Sequence, residues 1–158
     1  MSLEKKTIKA FPAKRFFVEM LTRDIELLDA VLDLIDNSLD GAMREYKRIG
    51  LMKEKKYEGY GVDITFDENH FCIKDNCGGI PRQVALDSAF RMGRPSNDID
   101  PELPTVGVYG IGMKRSIFKL GKCCEVISST QETCLIVNIT PEWMSDEDWD
   151  LPYEEKKP

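Results

Sequence analysis

The sequence has no apolar run long enough to span a membrane, and its first six residues lack the apolar core of a signal peptide. These two absences predict a cytoplasmic protein with no membrane partner. Histidine is almost missing, since His70 is the only one, and the five cysteines include no C-x-x-C pair. The odd cysteine count argues against a disulfide framework, and the spacing argues against a structural zinc site.

An excess of positive charge is also absent: 28 acidic residues outnumber 22 Lys and Arg, and the formal net charge of −6 speaks against a general nucleic-acid coat. The chain has 158 residues, of which 42% are hydrophobic and 32% are charged, as in an ordinary globular protein. No repeat or low-complexity tract divides it. We therefore expect one domain over residues 1–158, with an N-terminal arm at 1–21 and a peripheral tail at 141–158.

Hydrophobic periodicity and turn residues predict both helices and strands. Thr22 is a candidate N-cap for a long helix that runs to about Arg48. Proline and glycine recur between residues 91 and 109, which predicts a long loop there. The other predicted elements are strands at Tyr60–Phe66, His70–Lys74, Cys123–Ser129 and Thr133–Thr140, and helices at Pro81–Phe90 and Gly112–Leu120.

The predicted long helix contains no Lys or Arg between residues 24 and 43. A helical wheel gives it one broad apolar face, made of Leu28, Val31, Leu32, Leu34, Ile35, Leu39 and Ala42. The opposite face is acidic and carries Glu26, Asp29, Asp33, Asp36, Asn37 and Asp40. Such a face is either exposed to water or a magnesium site. Solvated helix faces usually mix charges of both signs, because like charges at i, i+4 repel, whereas Mg²⁺ binds oxygen ligands such as these.

Two further motifs are rich in glycine. The segment Lys74-Asp75-Asn76-Cys77-Gly78-Gly79-Ile80-Pro81 follows a predicted strand. One interpretation is a plain reverse turn. The other is a ligand site in which the Asp75 carboxylate is held at the end of the strand and the glycines let a flat ligand approach the backbone. The segment from Gly107 to Lys114 has the spacing G-x-x-G-x-G before a helix. Its backbone amides favour an anion, although the spacing is neither that of a Walker A loop nor that of a Rossmann fingerprint.

Taken in this order, the three motifs closely resemble those of the GHKL ATPases. This superfamily includes gyrase B subunits, MutL, a heat-shock chaperone, microrchidia proteins and sensor histidine kinases. The resemblance covers residues 22–140, and the wording Ile-Asp-Asn-Ser-Leu-Asp is nearest to the gyrase, MutL and microrchidia branches. It implies an α+β two-layer sandwich, the Bergerat fold, with a mixed, mostly antiparallel sheet covered on one face by helices. It also implies that residues 91–109 form a long ATP lid and that the ligands are ATP and Mg²⁺.

The resemblance implies roles for residues at the adenine and metal end of the pocket. Asn37 would ligate the magnesium ion that bridges the phosphates. Asp75 would accept a hydrogen bond from the adenine amine, with help from the Gly79 backbone, and Ile80 would line the adenine slot. Asp40 would support the helix side of the pocket.

The resemblance also implies roles at the phosphate end. Gly107, Gly110 and Gly112 would close over the phosphates, and Lys114 would contact them. Asp33 stands four residues before Asn37, where hydrolytic relatives usually carry the glutamate that orients the attacking water. Its side chain is one methylene shorter, and catalytic geometry is sensitive to such a displacement. The resemblance therefore implies ATP binding more directly than ATP hydrolysis.

Other departures from the family pattern bear on the chain as a whole. Cys77 stands where the family usually has the first glycine of its D-x-G-x-G motif, and no Gly-Thr pair occurs in a later strand. Many relatives take a catalytic lysine from a following domain. We therefore expect this chain to be the front portion of a longer protein that contacts a further domain or a second protomer.

Two alternative functions stay open at this point. One is a histidine-kinase-like phosphotransferase, which would need a phosphoacceptor outside this chain because His70 lies on a predicted strand. The other is a nucleotide-sensing module that binds ATP without hydrolysing it. Asp33 is the residue that distinguishes the second alternative from an ATPase.

Overall fold

The computed structural model describes residue 10 and residues 12–49, 56–92 and 111–158. Its longer helices are α1 (Lys14–Thr22), α2 (Leu27–Ile49) and α4 (Gly112–Leu120). A short helix α3 (Arg82–Val84) continues into a π-helical turn (Ala85–Ala89), and α5 (Pro141–Ser145) is a short helix near the end. The strands are β1 (Val62–Phe66), β2 (Phe71–Asp75), β3 (Cys124–Ser129), β4 (Cys134–Ile139) and β5 (Tyr153–Lys156). No helix within these described ranges is long and apolar enough to cross a membrane.

The long helix α2 has the charge distribution that a helix dipole favours. Asp29 lies in its first turn, and Lys47 and Arg48 lie in its last turn. The prediction of Thr22 as the N-cap was wrong, because Thr22 ends α1 and its hydroxyl donates to the carbonyl of Val18. The chain turns between the two helices, and the helical bonds of α2 begin with the Ala30 amide donating to the Glu26 carbonyl.

The buried face of α2 differs from the predicted one. Leucines of the predicted apolar face are largely exposed: Leu28 is 68% exposed, Leu32 48% and Leu39 36%. The buried residues are small ones: Ala42 belongs to the predicted apolar face, whereas Ala30, Ser38 and Gly41 lie outside it. Small side chains allow α4 and the turn after β2 to approach the helix axis closely, so the side of α2 that carries Asp33, Ser38 and Gly41 faces the protein.

The strands form two antiparallel groups. Strand β1 pairs with β2, with Val62 opposite Asp75, and the second group has the order β3-β4-β5. The α+β class predicted from the sequence is confirmed. The expected mixed sheet is not seen, since every strand pair within the described ranges is antiparallel.

The last part of the chain is not the peripheral tail that we expected. Strand β5 pairs with β4, with Tyr153 opposite Val137. Trp143 is buried and forms the core together with Ile117 and Ile139. The segment therefore completes the sheet and the core, because a buried indole and a paired strand remove much apolar and polar surface from water.

The expected N-terminal arm also contains an ordered helix. Helix α1 packs on α4 and α5. Lys14 is only 3% exposed, and its ammonium donates to the Trp143 carbonyl at 2.7 Å and lies 4.0 Å from the Trp143 ring centroid. This cation–π contact joins the first described helix to α5.

Candidate functional site

Asp75 ends β2, and two protein groups hold its carboxylate. The Ser38 hydroxyl of α2 donates to Oδ2 at 2.8 Å, and the Cys77 backbone N–H donates to Oδ1 at 2.8 Å. Ser38 is 4% exposed, whereas Asp75 is exposed. The carboxylate is therefore fixed in direction, while each oxygen retains a lone pair for a further donor.

Two glycines shape the turn that follows Asp75. Gly78 and Gly79 have φ values of +93° and +69°, the left-handed region that favours glycine. A Cβ atom on Gly79 would overlap the carbonyl oxygen of Ser129. The Ile80 amide donates to the Ser128 hydroxyl at 2.7 Å, so the turn is bound to β3 at this point.

The same turn lies against α2. A Cβ atom on Gly41 would stand 2.8 Å from the Cys77 carbonyl oxygen, so the helix backbone and the turn approach more closely than any larger residue permits. Arg44, one turn further along α2, reaches the Gly79 carbonyl at 3.4 Å. Helix α2 and the Asp75–Gly79 turn therefore form one packed unit.

Asn37 lies next to Ser38 and faces solvent. Its side-chain nitrogen donates to the Asp33 carbonyl at 2.7 Å, which leaves the amide oxygen directed away from that bond. Burial raises the pKa of nearby Asp36, and the charges of Asp33 and Asp40 raise it further, so negative charge is concentrated here.

This arrangement fits a magnesium ion held jointly by protein and phosphate. No cluster of three His, Cys, Asp or Glu residues suited to a metal occurs among the described residues. Mg²⁺ does not require one, because it keeps waters and is commonly held by one or two protein oxygens together with phosphates. The exposed amide oxygen of Asn37 meets that requirement.

Asp33 faces α4 rather than open solvent. Its Oδ2 accepts hydrogen bonds from Arg115 Nε at 2.8 Å and from Arg115 Nη2 at 2.7 Å. The carboxylate also lies against the first turn of α4, where a Cβ atom on Gly112 would stand 3.5 Å from Asp33 Cγ. The two helices are thus joined by an ion pair at the candidate water-orienting residue.

The glycine-rich motif is described only in part. Gly107 and Gly110, and the predicted lid apart from Arg91 and Met92, lie outside the described residues. Gly112 begins α4, as predicted. Lys114 is buried, and its ammonium donates to the Ala89 carbonyl at 3.0 Å, so it has an internal partner in this structure.

Sequence reasoning missed Ser38, Ser128 and Arg115, each of which contacts a predicted site residue. Ser38 belongs to the Asp-Asn-Ser-Leu-Asp motif, so its position was a usable signal. Arg115 follows Lys114 directly, but nothing local in the sequence indicates that it reaches Asp33 on another helix. Ser128 lies in an ordinary alternating strand and carries no signal.

Cys77 lies inside the site as a buried thiol. It is 4% exposed, and burial raises its pKa, with the charge of Asp75 adding to the effect. A cavity of about 900 Å³ lies elsewhere, lined by residues that include Phe90, Trp143, Trp149 and Leu151. Arg91 and Met92, the first residues of the predicted lid, line this cavity, whereas none of the predicted adenine, magnesium and phosphate residues does.

The chain matches the family model described as histidine kinase-, DNA gyrase B-, and HSP90-like ATPase over residues 25–158. Because the match covers most of the chain, the protein belongs to this family and is a GHKL-type ATP-binding domain. A search of curated proteins found no sequence match.

Proposed function

We propose that this domain binds Mg–ATP in the site around α2 and the Asp75–Gly79 turn, and that it hydrolyses the nucleotide. The observation that carries the proposal is the double anchoring of Asp75 by Ser38 and by the Cys77 amide. A carboxylate that is fixed yet exposed is suited to accept a hydrogen bond from an exocyclic amine. Asn37 is the neighbour of Ser38, so the adenine acceptor and the metal ligand lie on adjoining parts of one rigid unit.

At the adenine end, Asp75 accepts the hydrogen bond from the base amine and the Gly79 backbone completes the contact. Ile80 lines the slot beside the base. Its amide is bound to Ser128, which fixes the position of this residue. Asp40 supports the helix side, one turn beyond Asp36 and within the packed part of α2.

At the phosphate end, Asn37 would hold Mg²⁺, which would neutralise phosphate charge. Asp33 orients the attacking water. Gly107, Gly110 and Gly112 supply backbone amides to the phosphates, together with Lys114. The support for this end is the common location of Asn37, Asp33 and Gly112 where α2 meets α4.

We further propose that nucleotide binding closes residues 91–109 and alters contact with a following domain or a second protomer. The exposed leucines of α2 support a partner surface. Leu28, Leu32 and Leu39 follow helical spacing, and each has at least 36% of its surface exposed. Such a stripe is common at protein–protein contacts.

A nucleotide-sensing module without hydrolysis is the second candidate. The ion pair between Asp33 and Arg115 favours it, because the guanidinium already occupies one oxygen of the carboxylate that would orient the water. A phosphotransferase has less support. His70 lies in the turn before β2, not on a strand as predicted, and neither position resembles a phosphoacceptor helix.

Nucleotide binding is tested by thermal unfolding with and without millimolar Mg–ATP. We expect the ligand to raise the melting temperature of the wild type and to have no effect on Asp75→Asn, because an amide donor then replaces one acceptor oxygen. Asp63→Asn is the matched control, since Asp63 lies on the same hairpin opposite Lys74. It should respond to the nucleotide as the wild type does, and an unresponsive wild type would refute the proposal.

A further inference from the structure

The contact between Arg115 and Asp33 is unusually one-sided. Two guanidinium nitrogens approach the same carboxylate oxygen, Oδ2, at 2.8 and 2.7 Å. The hydroxyl of Ser116, which is fully buried, lies 3.5 Å from that same oxygen. Within the part of the chain that the structure describes, no donor contacts the second oxygen, Oδ1.

Another inter-element ion pair of the protein shows a different geometry. Arg82 of α3 contacts both carboxylate oxygens of Glu155 on β5, at 2.9 and 3.1 Å. Both carboxylate oxygens of Glu155 therefore have a donor, and the pair joins α3 to β5. The Arg115–Asp33 pair also joins two elements, but both guanidinium nitrogens donate to Oδ2, and Oδ1 remains available to another donor.

The surroundings of the Asp33 carboxylate leave Oδ1 available. The Asp33 carboxylate contacts the first turn of α4 at Gly112, and its side chain is 22% exposed. The Arg115 side chain is 34% exposed, so the pair lies at the edge of solvent. Because the donors of α4 contact the carboxylate through Oδ2, Oδ1 is the oxygen available to a water molecule.

We propose that Arg115 is a positioning residue for Asp33, holding Oδ2 so that Oδ1 accepts a hydrogen bond from the water that attacks ATP. This inference rests on the proposed hydrolytic function. In the reaction, the water oxygen forms a bond to the γ-phosphorus and the bond from that phosphorus to the β–γ bridging oxygen breaks. ADP leaves with the bonding electrons, and the proton from water passes through Oδ1 to solvent.

The proposal explains why a cation beside Asp33 is compatible with turnover. Orienting water requires a hydrogen-bond acceptor in a fixed place more than it requires a strong base. A freely rotating aspartate would occupy several rotamers, and most of them would direct no oxygen at the water. Arg115 removes that freedom without occupying the acceptor that the reaction uses.

The test compares phosphate release by the wild type, Arg115→Ala, Asp33→Ala and the double variant. We expect Arg115→Ala to lower kcat by about tenfold or more, since small misplacements of catalytic groups have large effects on rate. The KM and the affinity for Mg–ATP, measured by thermal titration, should stay within about twofold, because the lost interaction acts on the water and not on binding. In the Asp33→Ala background the Arg115→Ala change should lower kcat no further.

Arg82→Ala is the matched control, because it also removes an arginine that joins two elements. It should lower the melting temperature without changing kcat. A purely structural role for Arg115 predicts that Arg82→Ala and Arg115→Ala behave alike, and that result would overturn the proposal. An undiminished kcat in Arg115→Ala, or an equal fall with and without Asp33, would overturn it too.

A variant that does not fold, or a wild type that does not hydrolyse ATP, gives a result different from one that contradicts the role of Arg115. If Arg115→Ala does not fold, Arg115→Lys decides: a kcat at least about threefold below wild type supports the proposal, since one ammonium cannot reproduce the two-nitrogen contact. A wild-type kcat in Arg115→Lys contradicts it. If wild type binds Mg–ATP but releases no more phosphate than Asp33→Ala, the hydrolytic function itself is wrong and this inference falls with it.

Discussion

Ser38 shows how one small residue links two parts of the site. It is buried in α2, its hydroxyl donates to Asp75, and its neighbour Asn37 faces solvent. A larger side chain would separate the helix from the turn, and an apolar one would leave an oxygen of Asp75 without this donor. The sequence motifs identified Asn37 and Asp75 separately, but the Ser38–Asp75 bond that connects the two motifs spans 37 positions and depends on tertiary packing.

Cys123 and Cys124 are adjacent but differ sharply in their environment. Cys123 is exposed, whereas burial raises the pKa of the Cys124 thiol to about 11, with the neighbouring charges of Cys123 and Glu125 adding to the effect. Only the thiolate is nucleophilic. We expect iodoacetamide at pH 8 to modify Cys123 much faster than Cys124, and the Cys124 rate to keep rising up to a pH of about 11.

Peptide mapping by mass spectrometry measures both rates in the same sample. Cys72, which is exposed on the β1–β2 hairpin, serves as the internal reference for an accessible thiol. Equal rates at the two adjacent cysteines at pH 8 would show that Cys124 is not shielded. Unfolding the protein in denaturant should bring the two rates together.

Among the elements, those with strong local patterns were predicted and those set by distant contacts were not. Strands β3 and β4 and helix α4 lie where alternation and periodicity placed them, within one residue at each end. The face that α2 buries was predicted wrongly, because periodicity identifies an apolar side but not which side meets a neighbour. Its neighbours are α4 and the Asp75–Gly79 turn, which pack on small residues.

The Asp75–Gly79 turn offers a test of close packing that separates backbone strain from steric overlap. Gly79 and Gly59 both have positive φ, at +69° and +88°. A Cβ atom on Gly59 would meet nothing within 4 Å, whereas one on Gly79 would meet the Ser129 carbonyl oxygen. We expect Gly59→Ala to lower the free energy of unfolding by about 1 kcal/mol, the cost of a left-handed residue.

Gly79→Ala adds the overlap to that strain, and we expect a loss of about 3 kcal/mol. Urea unfolding of the two variants and the wild type gives both values. The difference between the variants reports the approach of the turn to β3, since the strain is common to both. Equal losses would mean that β3 does not constrain the turn.

At the scale of the whole molecule, the segment expected to be a peripheral tail contributes to the core, and the expected N-terminal arm packs against it. The Trp149 ring packs edge-on against Phe17 of α1, at a centroid distance of 5.7 Å, and against Trp143, at 6.3 Å. These contacts join residues far apart along the chain. Composition and local pattern contain no information about them, which is why an arm and a tail were predicted.

Trp149→Ala should therefore destabilise the entire fold. We expect a loss of about 2–3 kcal/mol in the free energy of unfolding, below the range for a fully buried tryptophan because Trp149 is half-buried. Tyr153→Ala is the control, since Tyr153 is an aromatic residue of the same segment with 43% of its surface exposed. Its loss should be about 1 kcal/mol or less, and a ranking in the opposite order would show that the tail does not stabilise the domain through Trp149.

The contact between Lys14 and Trp143 has a consequence for the order in which the molecule forms. The two residues are 129 positions apart, and the lysine is buried only because the indole and its carbonyl cover it. A ribosome releases the N-terminal segment first. Until α5 has emerged, the ammonium of Lys14 has no acceptor and remains in water. Helix α1 is therefore synthesised early, but its contact with Trp143 forms only after the end of the described chain has been made.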